Sequence, residues 1–292
     1  LRHLVGDERL SYFGSSYGTD IGSRYAEMFP HRVGKMVLDA AVNVTGSDEI
    51  QAVGFERALT AFAEWCVTRR CVLGADRDAV IRSVTTLFDE LDAQPLRVGD
   101  RHLTQSQAVT GTISLLYGSG DQYPRLLAVI TSAQAGDGGP LLGQADSYNA
   151  RSADGNYGPA TMAFNAIRCL DETDEGLAGA DRSAAEQSAK APILGRYFGP
   201  DYACPTWPVR PLPPVPPVTA AGAPPILVIG GTGDSATPYE YAVGMADQLQ
   251  SGVLLTYDGP GHGAYGDRSG CIDRAVVAYL TGGEPKAGQI CR

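Results

Sequence analysis

The stretch YFGSSYGTDIG, Tyr12 to Gly22, contains Gly14-Ser15-Ser16-Tyr17-Gly18, a G-x-S-x-G pattern centred on Ser16. A serine on a sharp strand-to-helix turn needs small neighbours, because the chain folds back too closely for side chains on either side. Glycine supplies 36 of the 292 residues, so the pattern arises easily by accident and its surroundings must decide the reading. Leu10 to Phe13 is a short apolar strand. TDIGSRYAEMFP then places Ile21, Tyr25, Met28 and Phe29 at helical spacing and stops at Pro30. Lys35 to Val42, KMVLDAAV, is a continuous apolar run of strand length. Strand, turn, helix and strand make a βαβ unit with Ser16 at the turn.

Further along the chain the character changes. IQAVGFERALTAFAEWC, DAVIRSVTTLFDEL and QAVTGTISLLYG carry apolar residues three, four and seven apart and read as amphipathic helices. No clear strand is expected between about Gly46 and Trp207. Pro208 to Pro225 is a proline-rich connector that should run extended. Strand patterns resume at ILVIGG (Ile226 to Gly231) and GVLLTYDG (Gly252 to Gly259). A helix is expected from Pro238 to about Leu249, and CIDRAVVAYLTGG reads as a last amphipathic helix. The expected architecture is α/β: a core from residues 1–45 and 220–292, interrupted by a helical cap over 46–219.

The formal net charge of −10 argues against nucleic acid or an anionic membrane surface as partner, since phosphate binding needs clustered Lys and Arg. No apolar run reaches the ~18–20 residues of a membrane span. The chain opens on Leu1, and LRHLVGDERLSYFG reads as the end of a helix, a turn and a strand. It is therefore expected to begin inside a folded domain, with any targeting segment upstream. Six cysteines are present, Cys66, Cys71, Cys169, Cys204, Cys271 and Cys291, without a C-x-x-C. Cys66 with Cys71 could close a small loop, and Cys271 with Cys291 could tie the last helix to the C-terminus, leaving Cys169 and Cys204. Free thiols are the other possibility. No metal or cofactor is expected.

A serine nucleophile needs a base, and the base an orienting acid. Of four histidines, His3, His31 and His102 sit in polar surroundings and read as surface residues. His262 lies in YDGPGHGAYG, a glycine-rich loop after the last strand, where α/β sheets place their chemistry. Asp234, in GGTGDSATP after ILVIGG, is the acid candidate, although an aspartate ahead of Pro238 also fits a helix cap. Ser16, Asp234 and His262 follow the order of an α/β-hydrolase triad. Gly231 to Ala236 also fits a dinucleotide-binding G-x-G-x-x-A, with Asp258 ending the next strand. The late helix start and the charge of Asp234 oppose phosphate binding there.

Taken together, YFGSSYGTDIGSRYAEMFPHRVGKMVLDAAV resembles the elbow region of secreted α/β-hydrolase peptidases of the tripeptidyl aminopeptidase type, relatives of the prolyl aminopeptidases. PPILVIGGTGDSATPYEYAVGMADQL through GPGHGAYGDRSGCIDRAVVAYLTGGEPKAGQIC is similar to that family's C-terminal domain, including Asp234-x-x-Thr237-Pro238 and the placement of Cys271 and Cys291. The helical middle matches in islands such as AFAEWC and AIRCLDE. The resemblance implies an α/β-hydrolase fold with Ser16 as nucleophile, His262 as base, Asp234 as its orienter and the Tyr17 N–H as an oxyanion donor. It implies an exported, disulfide-bonded exopeptidase acting on free N-termini of peptides. Asp171 and Glu172, in CLDETDE, are candidates for holding the substrate ammonium. The family also carries a stretch before the elbow that supplies the first strands and a second oxyanion donor, so this chain is expected to need such a segment. An esterase or lipase with the same triad, and a non-catalytic hydrolase fragment, are the alternative readings.

Overall fold

The computed structural model describes residues 2–44, 50–171, 175–213, 216–266 and 268–292. In chain order the elements are β1 (Leu10–Ser15), α1 (Tyr17–Met28), β2 (Val33–Asp39), α2 (Gln51–Thr68), α3 (Arg77–Ala93), β3 (Leu96–Val98) and β4 (Arg101–Leu103). Then come α4 (Gln105–Leu116), α5 (Tyr123–Gln134), α6 (Gly139–Tyr148), α7 (Pro159–Asp171) and α8 (Gly176–Lys190). The chain finishes with β5 (Ile226–Gly233), α9 (Tyr239–Gln248), β6 (Gly252–Pro260), α10 (Gly270–Leu280) and β7 (Gln289–Cys291). Two compact units result: Leu1–Gly54 with Pro216–Arg292, and Phe55–Val215.

The first unit is a five-stranded sheet in the order β1-β2-β5-β6-β7, every neighbouring pair parallel. Parallel strands are joined by crossovers that place helices on the sheet, so the central strands are buried on both sides and read as unbroken apolar runs. On one face Met36, Leu38, Ile226 and Val228 pack against Ala26 of α1 and Ala242 and Met245 of α9. On the other, Val37, Leu227, Ile229 and Leu255 meet Ile272, Val276 and Tyr279 of α10. The alternation of neighbouring residues between these two clusters is the period-two geometry of a strand.

The second unit is helical, with Leu59, Phe62, Phe88, Leu116, Leu126 and Ile130 fully or almost fully buried. Its β3–β4 hairpin, with Leu96 opposite Leu103, corrects the expectation of no strand between Gly46 and Trp207. Each strand has three residues around Gly99, which sits at φ +59, too short to display an alternating pattern. The last strand, β7, was likewise not anticipated. It pairs with β6 through Leu255–Gln289 to Tyr257–Cys291. All six cysteines are paired, Cys66 with Cys71, Cys169 with Cys204, and Cys271 with Cys291. Such bonds persist in oxidising, extracytoplasmic surroundings. Among the described residues no helix is long and apolar enough to cross a membrane.

One phenol ties α10 to the middle of the sheet. The Tyr279 hydroxyl donates to the Pro225 carbonyl at 2.5 Å and accepts the Met36 N–H at 3.0 Å. Tyr279 is 1% exposed and its bond from the Met36 N–H is buried, so water cannot replace that one. Tyr279→Phe should therefore destabilise the protein by about 1–3 kcal/mol, the cost of stranding a buried polar group. Chemical denaturation with an unchanged m-value is the check.

Candidate active site

Ser16 stands between β1 and α1 with φ 54 and ψ −122. This is a conformation that only glycine adopts without strain, and surrounding structure must enforce it on a serine. Four bonds do so here. The Ser16 N–H donates to the Asp39 carbonyl at 2.9 Å, and the Ser16 carbonyl accepts from the Thr19 N–H at 2.8 Å and its hydroxyl at 2.6 Å. Thr19 Oγ1 in turn accepts the Val42 N–H at 3.0 Å, linking the turn to the segment after β2. The tightness of the turn explains its glycines. A Cβ on Gly14 would lie 2.4 Å from the Gly18 carbonyl oxygen and 2.5 Å from the Tyr12 ring. One on Gly22 would meet Leu38 and Tyr12 at 2.6 and 2.7 Å. Tyr17 is the first residue of α1, where helix N–H groups point beyond the helix's own carbonyls and the dipole favours negative charge.

Asp234 follows the end of β5, and His262 lies in the loop after β6. His262 Nδ1 is 3.0 Å from Asp234 Oδ1 and 3.1 Å from Oδ2. The Asp234 side chain is 1% exposed and that of His262 15%. The cap reading does not hold, because α9 begins at Tyr239 after an N-cap at Pro238 with no side-chain bond; Asp234 closes the turn ahead of the helix instead. Its Oδ1 accepts the N–H groups of Ala236 and Thr237, each at 2.9 Å, which fixes the carboxylate plane that faces the imidazole. The Thr237 hydroxyl donates to Oδ2 at 3.0 Å and lies 3.3 Å from His262 Nδ1. A carboxylate facing Nδ1 selects the tautomer protonated there, which leaves Nε2 as the acceptor nitrogen.

Gly261, Gly263 and Gly266 all have positive φ (103, 78 and 93), so the histidine loop takes a path closed to most side chains. The loop is pinned by its backbone. Gly261 N–H reaches the Gly233 carbonyl at 3.1 Å, Gly263 N–H reaches Asp234 Oδ2 at 3.3 Å, and Gly266 N–H reaches Asp273 at 2.9 Å. Between them, Ala264 and Tyr265 both donate to Asp39 Oδ2 at 2.9 Å. Asp39 closes β2, is 2% exposed, and was not singled out in the sequence. Its one visible signal is an acidic residue inside the apolar run KMVLDAAV. Burial pushes its carboxyl above the ordinary aspartate range, against the pull of the Tyr265 and Ala264 N–H groups. A Cβ on Gly263 would lie 3.6 Å from Ser15 Oγ, so the histidine loop passes directly beside the residue preceding Ser16.

The remaining candidates fall elsewhere. Asp171 ends α7 in the second unit and is exposed, and Glu172 lies outside the described residues. His3, His31 and His102 are exposed. The G-x-G-x-x-A glycines belong to the strand: β5 runs through Gly233 and α9 starts at Tyr239. A Cβ on Gly233 would meet the Pro260 backbone at 2.9 Å, so close approach of β6 accounts for that glycine. Among the described residues no group of His, Cys, Asp and Glu is placed to hold a metal ion.

A parallel sheet flanked by helices, with a strained serine turn, an acid and a histidine following successive strands, is an α/β-hydrolase fold. Residues 191–291 match the family described as TAP-like protein. Among curated proteins, serine protease Hip1 of Mycobacterium tuberculosis is 37% identical over 311 residues, covering 100% of this chain and 59% of that protein. Carboxylesterase B of the same species is 37% identical over 269 residues, covering 88% of this chain and 51% of its own length. Tripeptidyl aminopeptidase of Streptomyces lividans is 28% identical over 305 residues, covering 99% and 56%. The chain thus spans between half and three-fifths of the relatives it matches.

The two glycines flanking the serine should respond differently to alanine. Gly14→Ala forces a methyl into backbone and should cost about 1–3 kcal/mol or more. On Gly18 the nearest atom is the Tyr12 hydroxyl at 3.3 Å, and alanine favours the helix, so that change should stay under about 1 kcal/mol. Thermal denaturation of the two variants side by side tests this.

Proposed function

We propose that the protein carrying this chain is a serine hydrolase acting by acyl transfer, and that its substrates are peptides with free N-termini. Ser16 Oγ attacks the scissile carbonyl, and His262 Nε2 takes its proton and passes it to the leaving amine. Asp234 holds Nδ1 and stabilises the imidazolium that forms. Water, deprotonated by the same histidine, then releases the acyl group. The oxyanion of each tetrahedral intermediate is met by the Tyr17 N–H at the start of α1. The observation that carries the reading is the imidazole–carboxylate pair, 3.0 Å apart and nearly buried, on the loops that follow β5 and β6 in the sheet whose first strand leads into the strained Ser16.

Peptide substrates are supported by the relatives named serine protease and tripeptidyl aminopeptidase. An N-terminal exopeptidase must bind an ammonium group, and Asp171 with Glu172 are our candidates for it. Residues 46–219 are read as the cap that carries them. A second oxyanion donor is assigned to a segment outside this chain. Among the described strands β1 pairs with β2 alone, leaving an edge to which a further strand can add. The disulfides suit a secreted or cell-envelope protein. A second reading, an esterase with the same triad, is favoured by the relative named carboxylesterase B.

A fluorophosphonate should label Ser16, as read by peptide mass analysis. Ser16→Ala and His262→Ala should abolish labelling and lower kcat by about 10⁴-fold or more. A folded protein that takes no label would overturn the proposal. Peptides with free and acetylated N-termini then separate the two substrate readings. An aminopeptidase loses the blocked peptide, and Asp171→Asn should raise KM for the free one about tenfold or more. An esterase prefers short acyl esters and is indifferent to the N-terminus.

A further inference from the structure

We infer that Asp39 is a second positioning carboxylate of the site, joining the nucleophile's turn to the histidine loop. The inference rests on the serine-hydrolase reading given above and deepens it. Asp39 acts at both ends of the site through different atoms. Its main-chain carbonyl accepts the Ser16 N–H at 2.9 Å. Its carboxylate accepts the N–H of Ala264 at 3.1 Å on Oδ1 and 2.9 Å on Oδ2, and that of Tyr265 at 2.9 Å on Oδ2. These are the second and third residues after His262.

The need for such an anchor follows from the loop's composition. Three glycines in six residues, all at positive φ, leave a segment with a large conformational entropy to lose. His262 itself makes its contact to Asp234 through one nitrogen, which fixes the ring's tilt but not the distance of the loop from β1. Asp39, at the end of the strand between β1 and β5, supplies that second constraint. A hydrophobic residue of similar size at this position would strand the buried Ala264 N–H and the part-buried Tyr265 N–H. A neutral amide would keep an acceptor and lose the charge.

Burial raises the Asp39 carboxyl, with Asp234 raising it further and His262 pulling it down. Asp39 touches neither substrate nor the reacting atoms, so its effect passes through His262.

The experiment compares the full-length wild type with Asp39→Asn and Asp39→Ala, using fluorophosphonate labelling and peptide hydrolysis. Asp39→Asn keeps an acceptor for the two amides and should hold kcat within about threefold of the wild type. Asp39→Ala should lower kcat about tenfold or more with KM changed less than twofold, because two amides lose their acceptor. If Asp39→Ala labels and turns over like the wild type, the inference is overturned and the proposed activity stands. If Asp39→Asn falls as far as Asp39→Ala, the acceptor role is overturned. A wild type that takes no label overturns both proposals. Should neither variant fold, hydrogen exchange on the wild type decides: slow amides at Ala264 and Tyr265 support the anchor, and fast ones overturn it.

Discussion

At Gly14 there is no room for a side chain against the Gly18 carbonyl, and that close approach is the constraint on which the first unit depends. A methyl at Gly14 would sit 2.4 Å from the Gly18 carbonyl. Because the chain can turn this sharply, α1 folds straight back over β1, and β2 returns parallel to it. Every later strand of this sheet adds in the same direction. A parallel sheet delivers the carboxyl ends of all its strands to one edge. Ser16, Asp39, Asp234 and His262 each follow or close a different strand and therefore gather there, although they come from opposite ends of the sequence.

How much of this the sequence discloses depends on burial. Strands covered on both faces announce themselves as uninterrupted apolar runs, so VLDAAV, ILVIGG and GVLLTYDG could be read directly. The serine turn was legible because its glycines obey a steric rule, and the histidine because a glycine-rich loop after a strand has few other uses. Three-residue strands, in a short hairpin or at a sheet edge, lack the length to show a period, which hid β3, β4 and β7. Among the later helices, α8 buries no residue fully and is rich in Ala, Ser and Gly, so it offered no apolar stripe. The Cys169–Cys204 bond joins positions that only tertiary structure brings together.

Asp39 marks a different limit. A lone aspartate at the end of a strand looks like a solvated terminus, and nothing local says that its carboxylate is 2% exposed. What determines its role is the identity of the amides that arrive more than two hundred residues later in the chain, Ala264 and Tyr265. Side chains that serve backbone partners leave no pattern of their own. The groups proposed to react directly, by contrast, are held to recognisable residue types.

The sheet is also discontinuous in the chain. Met36 and the Tyr279 hydroxyl that caps it are 243 residues apart, and β2 pairs with β5 across the whole helical unit. Loop closure grows only as the logarithm of length, each doubling costing about 0.6 kcal/mol, so the split costs little at equilibrium. Its consequence is kinetic. The helices of the second unit pair largely with near neighbours in sequence, whereas the central sheet cannot register until both chain ends have been synthesised and have met. The β1–β2 pair must therefore stay soluble on the ribosome while β5, the other neighbour of β2, is still unmade, and the polar and small residues of GSSYGTD at the end of β1 suit a segment that waits.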